Sequence, residues 1–155
     1  MSYTSIYGHS PVFTGHWYIT NYDENGNIKQ YVSGKNVITT VGLEFLASFL
    51  KSAAGAASTF TCQYVAIGTD STAEAAANTA LGIESARVTG TASYASGAIY
   101  RVTATFASGV GTGAIVEYGL FSSSTGGTMF SRDTEAVINK GANDTLVVTT
   151  EVTIS

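Results

Sequence analysis

Two glutamates and an arginine are the side chains best placed for chemistry, because each lies inside an apolar, strand-like run. Glu84 and Arg87 belong to one such run and Glu117 to another. Two carboxyl groups can form a general acid/base pair, but no histidine or second acid stands beside either glutamate. A buried acid without a partner would cost several kcal/mol or take up a proton. We therefore predict that Glu84, Arg87 and Glu117 are structural charges, each paired with a group from a neighbouring strand or subunit. Residues three apart in a strand face opposite sides, so Glu84 and Arg87 are not expected to pair with each other.

One segment has part of a calcium-loop pattern. Asp23, Asn25 and Asn27 occupy the first, third and fifth positions of such a loop. The sixth position is Ile28, where the loop needs glycine, and the twelfth is Gly34, where it needs a bidentate acid. We therefore interpret this segment as a hairpin turn and predict no metal site.

The other candidate groups also lack partners at a functional spacing. His9 and His16 are seven residues apart with no cysteine or acid at ligand spacing. The glycine-rich run 109–113 has no following lysine and no helix start, so it predicts a turn and not a phosphate site. Cys62, the only cysteine, lies in a predicted strand and is expected to be a packed side chain. We predict no catalytic residue and no cofactor, and therefore a protein that is not an enzyme.

Charge is scarce along the whole chain. Asp, Glu, Lys and Arg make up 12% of the 155 residues, against about 25% in an average soluble domain. The net charge of −4 disfavours nucleic-acid binding, which needs a basic face. There is no secretion-signal pattern at the N-terminus and no apolar run long enough to span a membrane. Isolated β proteins protect their sheet edges with charge and proline, so this composition favours a member of an assembly, made in the cytoplasm.

The elements that position these residues are mainly β-strands. A strand-like alternation on both sides of the Asn25-Gly26 pair predicts a hairpin, and residues 1–14 are expected to form an extended arm. Helical spacing predicts one helix near 40–51, with Thr40 as its cap. Its predicted buried face is listed here: Leu43, Leu46, Ala47 and Leu50, widened by Phe45 and Phe49. Further strands are predicted near 63–67, 84–95, 98–107, 113–121, 127–131 and 145–154.

This order of elements predicts a mainly β fold. Short strands with Gly/Ser turns between them are typical of a jelly-roll-like sandwich or barrel, here with one short α-helix packed on it. We expect two parts, an N-terminal arm and hairpin at 1–35 and a β-sandwich body at 36–155.

The body resembles small structural proteins of tailed bacteriophages. Four successive segments carry the resemblance: 64–69, the run 78–84 followed by Arg87, 115–121 and 140–146. It covers about residues 36–155 and includes the lead-in to the predicted helix. It implies a virion protein, assembled in the bacterial host cytoplasm, and it does not fix the location on the particle.

Two locations on a virion fit this resemblance. A head decoration (cement) protein would bind the major capsid protein and stabilise the shell as a homotrimer at local three-fold positions. A tail, baseplate or fibre component is the alternative. The chain has no fibre repeat and no coiled-coil heptads, which favours the head. A carbohydrate-binding module is a second alternative, because aromatic side chains also stack on sugars.

Residues 1–35 are predicted to be the docking element. They are rich in aromatic side chains, which dominate interface energetics. The residues proposed for contact with a partner protein are Tyr3, Tyr7, Phe13, Trp17 and Tyr18.

Overall fold

The computed structural model describes residues 12–52, 61–95 and 97–155. The described residues form nine strands and one helix. In chain order these are β1 (Phe13–Tyr22), β2 (Ile28–Ile38), α1 (Thr40–Ser52), β3 (Tyr64–Gly68), β4 (Glu84–Thr89), β5 (Thr91–Ala95), β6 (Ile99–Phe106), β7 (Gly113–Phe121), β8 (Met129–Lys140) and β9 (Thr145–Ile154).

All strand pairs are antiparallel, and the strand order is β4-β3-β7-β8-β2-β1-β9-β6-β5. The two end strands, β4 and β5, follow each other in the chain and are separated only by Gly90. A side chain at Gly90 would meet Val102 Cγ1 at 2.6 Å, so only glycine lets the chain pass there. The sheet therefore curls into a nearly closed barrel, and the predicted mainly β sandwich or barrel is confirmed.

The interior of this barrel is the main hydrophobic core. Along β1 the odd-numbered residues face inward and are buried, as Trp17 and Ile19 show. Inward-facing side chains from β6, β7 and β9 complete the core, among them Phe106, Tyr118 and Val148. The even-numbered residues of β1 lie on the outer face of the sheet.

The predicted hairpin connects β1 to β2. Asp23 accepts hydrogen bonds from the backbone N–H groups of Asn25 (2.9 Å) and Asn27 (2.8 Å), and Gly26 has a positive φ of 82°. Both strands lie in the middle of the sheet, where β1 pairs with β9 and β2 with β8. The expected boundary after residue 35 falls inside β2, so from residue 12 onward the hairpin is part of the β body. The proposed arm, residues 1–11, lies outside the described residues.

Helix α1 begins and packs differently from the prediction. Its N-cap is Thr39 and not Thr40, because Thr39 Oγ1 accepts the Gly42 N–H at 3.0 Å. Phe45 and Leu46 pack against the core. Leu43, Ala47 and Leu50, which were predicted to be buried, are exposed. The aromatic side of the helix faces the barrel because Gly42 lies against the backbone of β8, with its Cβ direction 2.4 Å from the Phe130 oxygen, and this contact sets the rotation of the helix.

Two strand predictions change in extent. The predicted strand 84–95 is β4 and β5, divided at Gly90. The predicted strand 127–131 is the start of β8, which continues to Lys140 through a polar stretch. Tertiary pairing with β7 and β2 stabilises this stretch although its apolar alternation is weak. Within the described part of the chain, no helix has the length and apolar character needed to cross a membrane.

Candidate functional sites: a buried carboxylate and an open sheet face

Glu117 lies on the outer face of β7, beneath the loop 69–83, and its side chain is fully buried. The carboxylate accepts hydrogen bonds from three backbone N–H groups of this loop: Asp70 at 3.2 Å, Gly82 at 2.9 Å and Ile83 at 2.8 Å. It also accepts two from the guanidinium of Arg132, Nε at 3.3 Å and Nη2 at 3.0 Å. All five donors come from the protein itself, so the carboxylate has no free position from which to accept a substrate proton.

Arg132 extends the same cluster along the loop. Its Nη1 donates to the Ala73 carbonyl at 3.3 Å and to Asn78 Oδ1 at 3.1 Å, and its Nη2 lies 3.7 Å from Asp70 Oδ2. Glu117 and Arg132 are therefore a buried ion pair that fastens an irregular loop to the sheet. Arg132 was not identified from the sequence, because the predicted strand ended one residue before it.

Glu84 and Arg87 form an ion pair with each other, so the prediction that they do not pair is wrong. Arg87 Nη2 lies 2.6 Å from Glu84 Oε2, and Nε donates to Oε1 at 3.0 Å. The reason is a β-bulge: Ile67 pairs with Ala86 and Gly68 with Glu84, so Ser85 is an extra residue in β4. The extra residue shifts the alternation and brings Glu84 to the same face as Arg87.

Arg87 also holds the loop that precedes β8. Its Nη1 donates to the carbonyls of Ser123 at 2.9 Å and Gly126 at 2.7 Å. Its guanidinium lies 3.6 Å from the centre of the Phe121 ring, a cation–π contact. These contacts are the neighbouring-strand partners of a structural charge.

A second acidic position, Asp133 on β8, faces the barrel interior. It pairs across the sheet with Tyr118 and is 1% exposed. Burial, and then the nearby charges of Glu135 and Glu74, raise the pKa of Asp133 to about 7. Burial also raises the pKa of the Tyr118 hydroxyl. Asp133 Oδ2 and the Tyr118 hydroxyl have no hydrogen-bond partner among the described residues.

The aromatic residues proposed for docking separate into three groups. Tyr3 and Tyr7 lie outside the described residues. Trp17 is fully buried in the core, with its ring centre 6.0 Å from that of Tyr118, so its assignment to an interaction surface is wrong. It is on the inward side of β1 by strand alternation. Phe13 is half-buried and packs against the core, whereas Tyr18 is exposed on the outer face.

The outer face around Tyr18 has a groove of about 310 Å³. One row of register partners crosses it on four adjacent strands: Lys35 on β2, His16 on β1, Glu151 on β9 and Arg101 on β6. The Arg101 guanidinium holds Glu151, with Nη2 at 2.5 Å and Nε at 2.7 Å, both to Oε1. Thr14, Gly15 and Thr153 complete the lining. The groove thus combines aromatic rings with a fixed carboxylate and a cation.

The incomplete calcium pattern forms the hairpin turn that we expected. Hydrogen bonds from the Asn27 side chain and backbone lower the pKa of Asp23, and both of its carboxylate oxygens accept from Asn27. Among the described residues, no group of three or more His, Cys, Asp and Glu side chains is placed to hold a metal ion.

Comparison with known family models, with curated proteins and with solved structures gave no match.

Proposed function

We propose that this protein is a structural component of a bacteriophage particle, a head decoration protein that binds the major capsid protein and stabilises the shell as an oligomer. The sequence resemblance of residues 36–155 motivates the location. The observation that carries the assembly role is the edge strand β5.

Strand β5 is an unprotected sheet edge. It pairs only with β6 in the described fold, and Thr91, Ala92, Ser93 and Tyr94 are all exposed. The strand has no charged residue and no proline, which are the usual protection of an edge against pairing with another chain. A neighbouring subunit that adds a strand here would satisfy the free backbone groups of this edge.

The proposed assembly is a ring. In a trimer each contact joins two different surfaces, and it closes when the rotation between subunits is a third of a turn. Strands β4 and β5 are the two ends of the strand order, so β5 of one copy meeting β4 of the next provides such a contact.

The charged clusters support a structural role over a catalytic one. The Glu117 carboxylate is occupied by five protein donors, and Arg87 ties Glu84 to a loop. Both act on the position of a loop, and neither carboxylate is directed into an open cleft.

The first test uses the purified protein and sedimentation equilibrium. We expect the wild type to self-associate, and Ser93→Lys to shift the equilibrium to the monomer by placing a charge on the β5 edge. The matched control is Thr105→Lys, which places the same charge at an exposed position on β6. A wild type that stays monomeric at high concentration, or equal effects of the two substitutions, would contradict the assembly role.

The second test separates the head from the tail. In purified particles that contain the protein, a head decoration protein is present in hundreds of copies, whereas a tail, baseplate or fibre component is present in far fewer. A quantified gel of these particles gives the number. A low copy number would reject the head location and favour the tail alternative.

A further inference from the structure

The outer face of β1 and β2 carries an aromatic stripe, which we define as His16, Tyr18 and Tyr31. The rings of His16 and Tyr18 lie 4.6 Å apart. Tyr31 pairs with Thr20, and Tyr18 with Ser33, so the two tyrosines are diagonal neighbours across the strand pair. Side chains in this relation are within reach of each other. Tyr18 is 36% and Tyr31 57% exposed, so the stripe offers ring faces to a ligand.

The groove beside the aromatic stripe has an acceptor without a partner. Both hydrogen bonds from Arg101 go to Glu151 Oε1, and no donor of the described residues bonds Oε2. Lys35, across His16, adds an exposed ammonium group without an ion-pair partner among the described residues. The groove therefore offers one fixed acceptor and one free donor on either side of an aromatic ring.

These groups match the chemistry of a sugar. A pyranose ring has an apolar C–H face, which packs on an aromatic ring, and a rim of hydroxyl groups, each both donor and acceptor. We propose that the aromatic stripe and its groove bind a saccharide chain, with the rings of Tyr18 and Tyr31 against the sugar faces. In this arrangement Glu151 Oε2 accepts from sugar hydroxyls and the Lys35 ammonium donates to them.

The other classes of occupant fit this surface less well. A nucleic acid requires a basic face, whereas Arg101 is neutralised by Glu151 here and the chain has a net charge of −4. A protein interface requires a desolvated centre with large anchoring side chains, whereas the strands next to the stripe present threonine hydroxyls, such as the Thr103–Thr149 pair at 3.0 Å. The proposal is independent of the assembly role, because the β5 edge and the aromatic stripe are separate surfaces.

The test is an NMR titration of the full chain with three linear hexasaccharides: cellohexaose, maltohexaose and chitohexaose. We expect at least one of them, at millimolar concentration, to shift backbone amide signals of β1, β2 and β9. Removing one stacked ring, in Tyr18→Ala or Tyr31→Ala, should weaken binding about tenfold. The control is Tyr94→Ala, which removes a tyrosine that is 80% exposed and lies on β5, away from the stripe. Its affinity should equal that of the wild type.

A further variant, Glu151→Gln, keeps the shape of the side chain and should also weaken binding, so the proposal stays testable if a tyrosine variant does not fold. If none of the three hexasaccharides shifts these amides, or if Tyr94→Ala weakens binding as much as the stripe variants, the proposal is wrong. A thymidine oligonucleotide is titrated in parallel. Shifts at the stripe with the oligonucleotide alone would overturn the saccharide assignment in favour of a nucleic acid.

Discussion

Replacing Glu117 with alanine is the most informative single change, because this carboxylate joins the loop 69–83 to the sheet. The substitution removes the acceptor for three loop N–H groups and two guanidinium donors. Arg132, which is 2% exposed, keeps its contacts with Ala73 and Asn78 and a longer contact with Asp70, but it loses its buried counter-charge.

The expected loss follows from the burial of the pair. Removing one partner of a buried ion pair costs about 3–5 kcal/mol, mostly because the other charge stays buried without compensation. The loop donors lie near the surface, since Gly82 and Ile83 are exposed, and water can reach them once the loop lifts. We therefore expect a loss near 3 kcal/mol, the lower end of the range. For a chain of this size each kcal/mol lowers the Tm by roughly 2–4 °C, which gives a decrease of about 6–12 °C.

Two measurements test this prediction. Urea unfolding gives the free energy, and hydrogen exchange of the Asp70, Gly82 and Ile83 amides shows whether the loop is released. The control is Glu84→Ala, which breaks an ion pair whose glutamate side chain is 34% exposed and should cost at most about 1 kcal/mol. If Glu117→Ala unfolds at the same urea concentration as the wild type, or if the loop amides stay protected, the anchoring role of this carboxylate is refuted.

Three further predictions concern single groups. Cys62 is buried and desolvation raises its pKa to about 12, so a disulfide reagent should modify the thiol only when the protein opens; fast labelling of the folded protein would contradict this. The pKa of Asp133 is raised from near 4 in the unfolded chain to about 7 in the folded protein. Its contribution to stability is therefore greatest below about pH 4, falls as the pH rises to about 7 and is constant above that; in urea unfolding at several pH values, Asp133→Asn should remove this decline. Thr39→Ala removes the cap of α1 and should cost about 1 kcal/mol, whereas Thr40→Ala, one residue later, should cost less.

Much of the fold follows from local sequence signals. The Asn25-Gly26 turn predicted the hairpin between β1 and β2, because this pair adopts the backbone angles of a tight turn at low cost. Helical spacing placed α1 within a residue of its observed ends. Alternation located most strands, since one face of each is buried and the other is not. These signals are local and survive without knowledge of the partners.

The candidate sites were less accessible to sequence reasoning. Glu117 was identified because an acid within an apolar run needs a partner, but that partner, Arg132, is fifteen residues away on β8. The aromatic stripe combines residues that are thirteen or more positions apart on β1 and β2, so only the register of the pairing brings them together. Trp17 and Tyr18 are adjacent in the chain, yet one is in the core and the other on the open face.

By itself the sequence determined the class of fold, the hairpin, the helix and the need of Glu117 for a partner, because alternation, turn chemistry and the cost of burying charge act locally. The tertiary structure decided the rest. The bulge at Ser85 brought Glu84 and Arg87 to one face, and contact with the β8 backbone set the rotation of α1. Strand register assembled the Lys35–His16–Glu151–Arg101 row. The physical reason is that a shift of one residue in a strand moves every later side chain to the opposite face, and such shifts depend on contacts between distant parts of the chain.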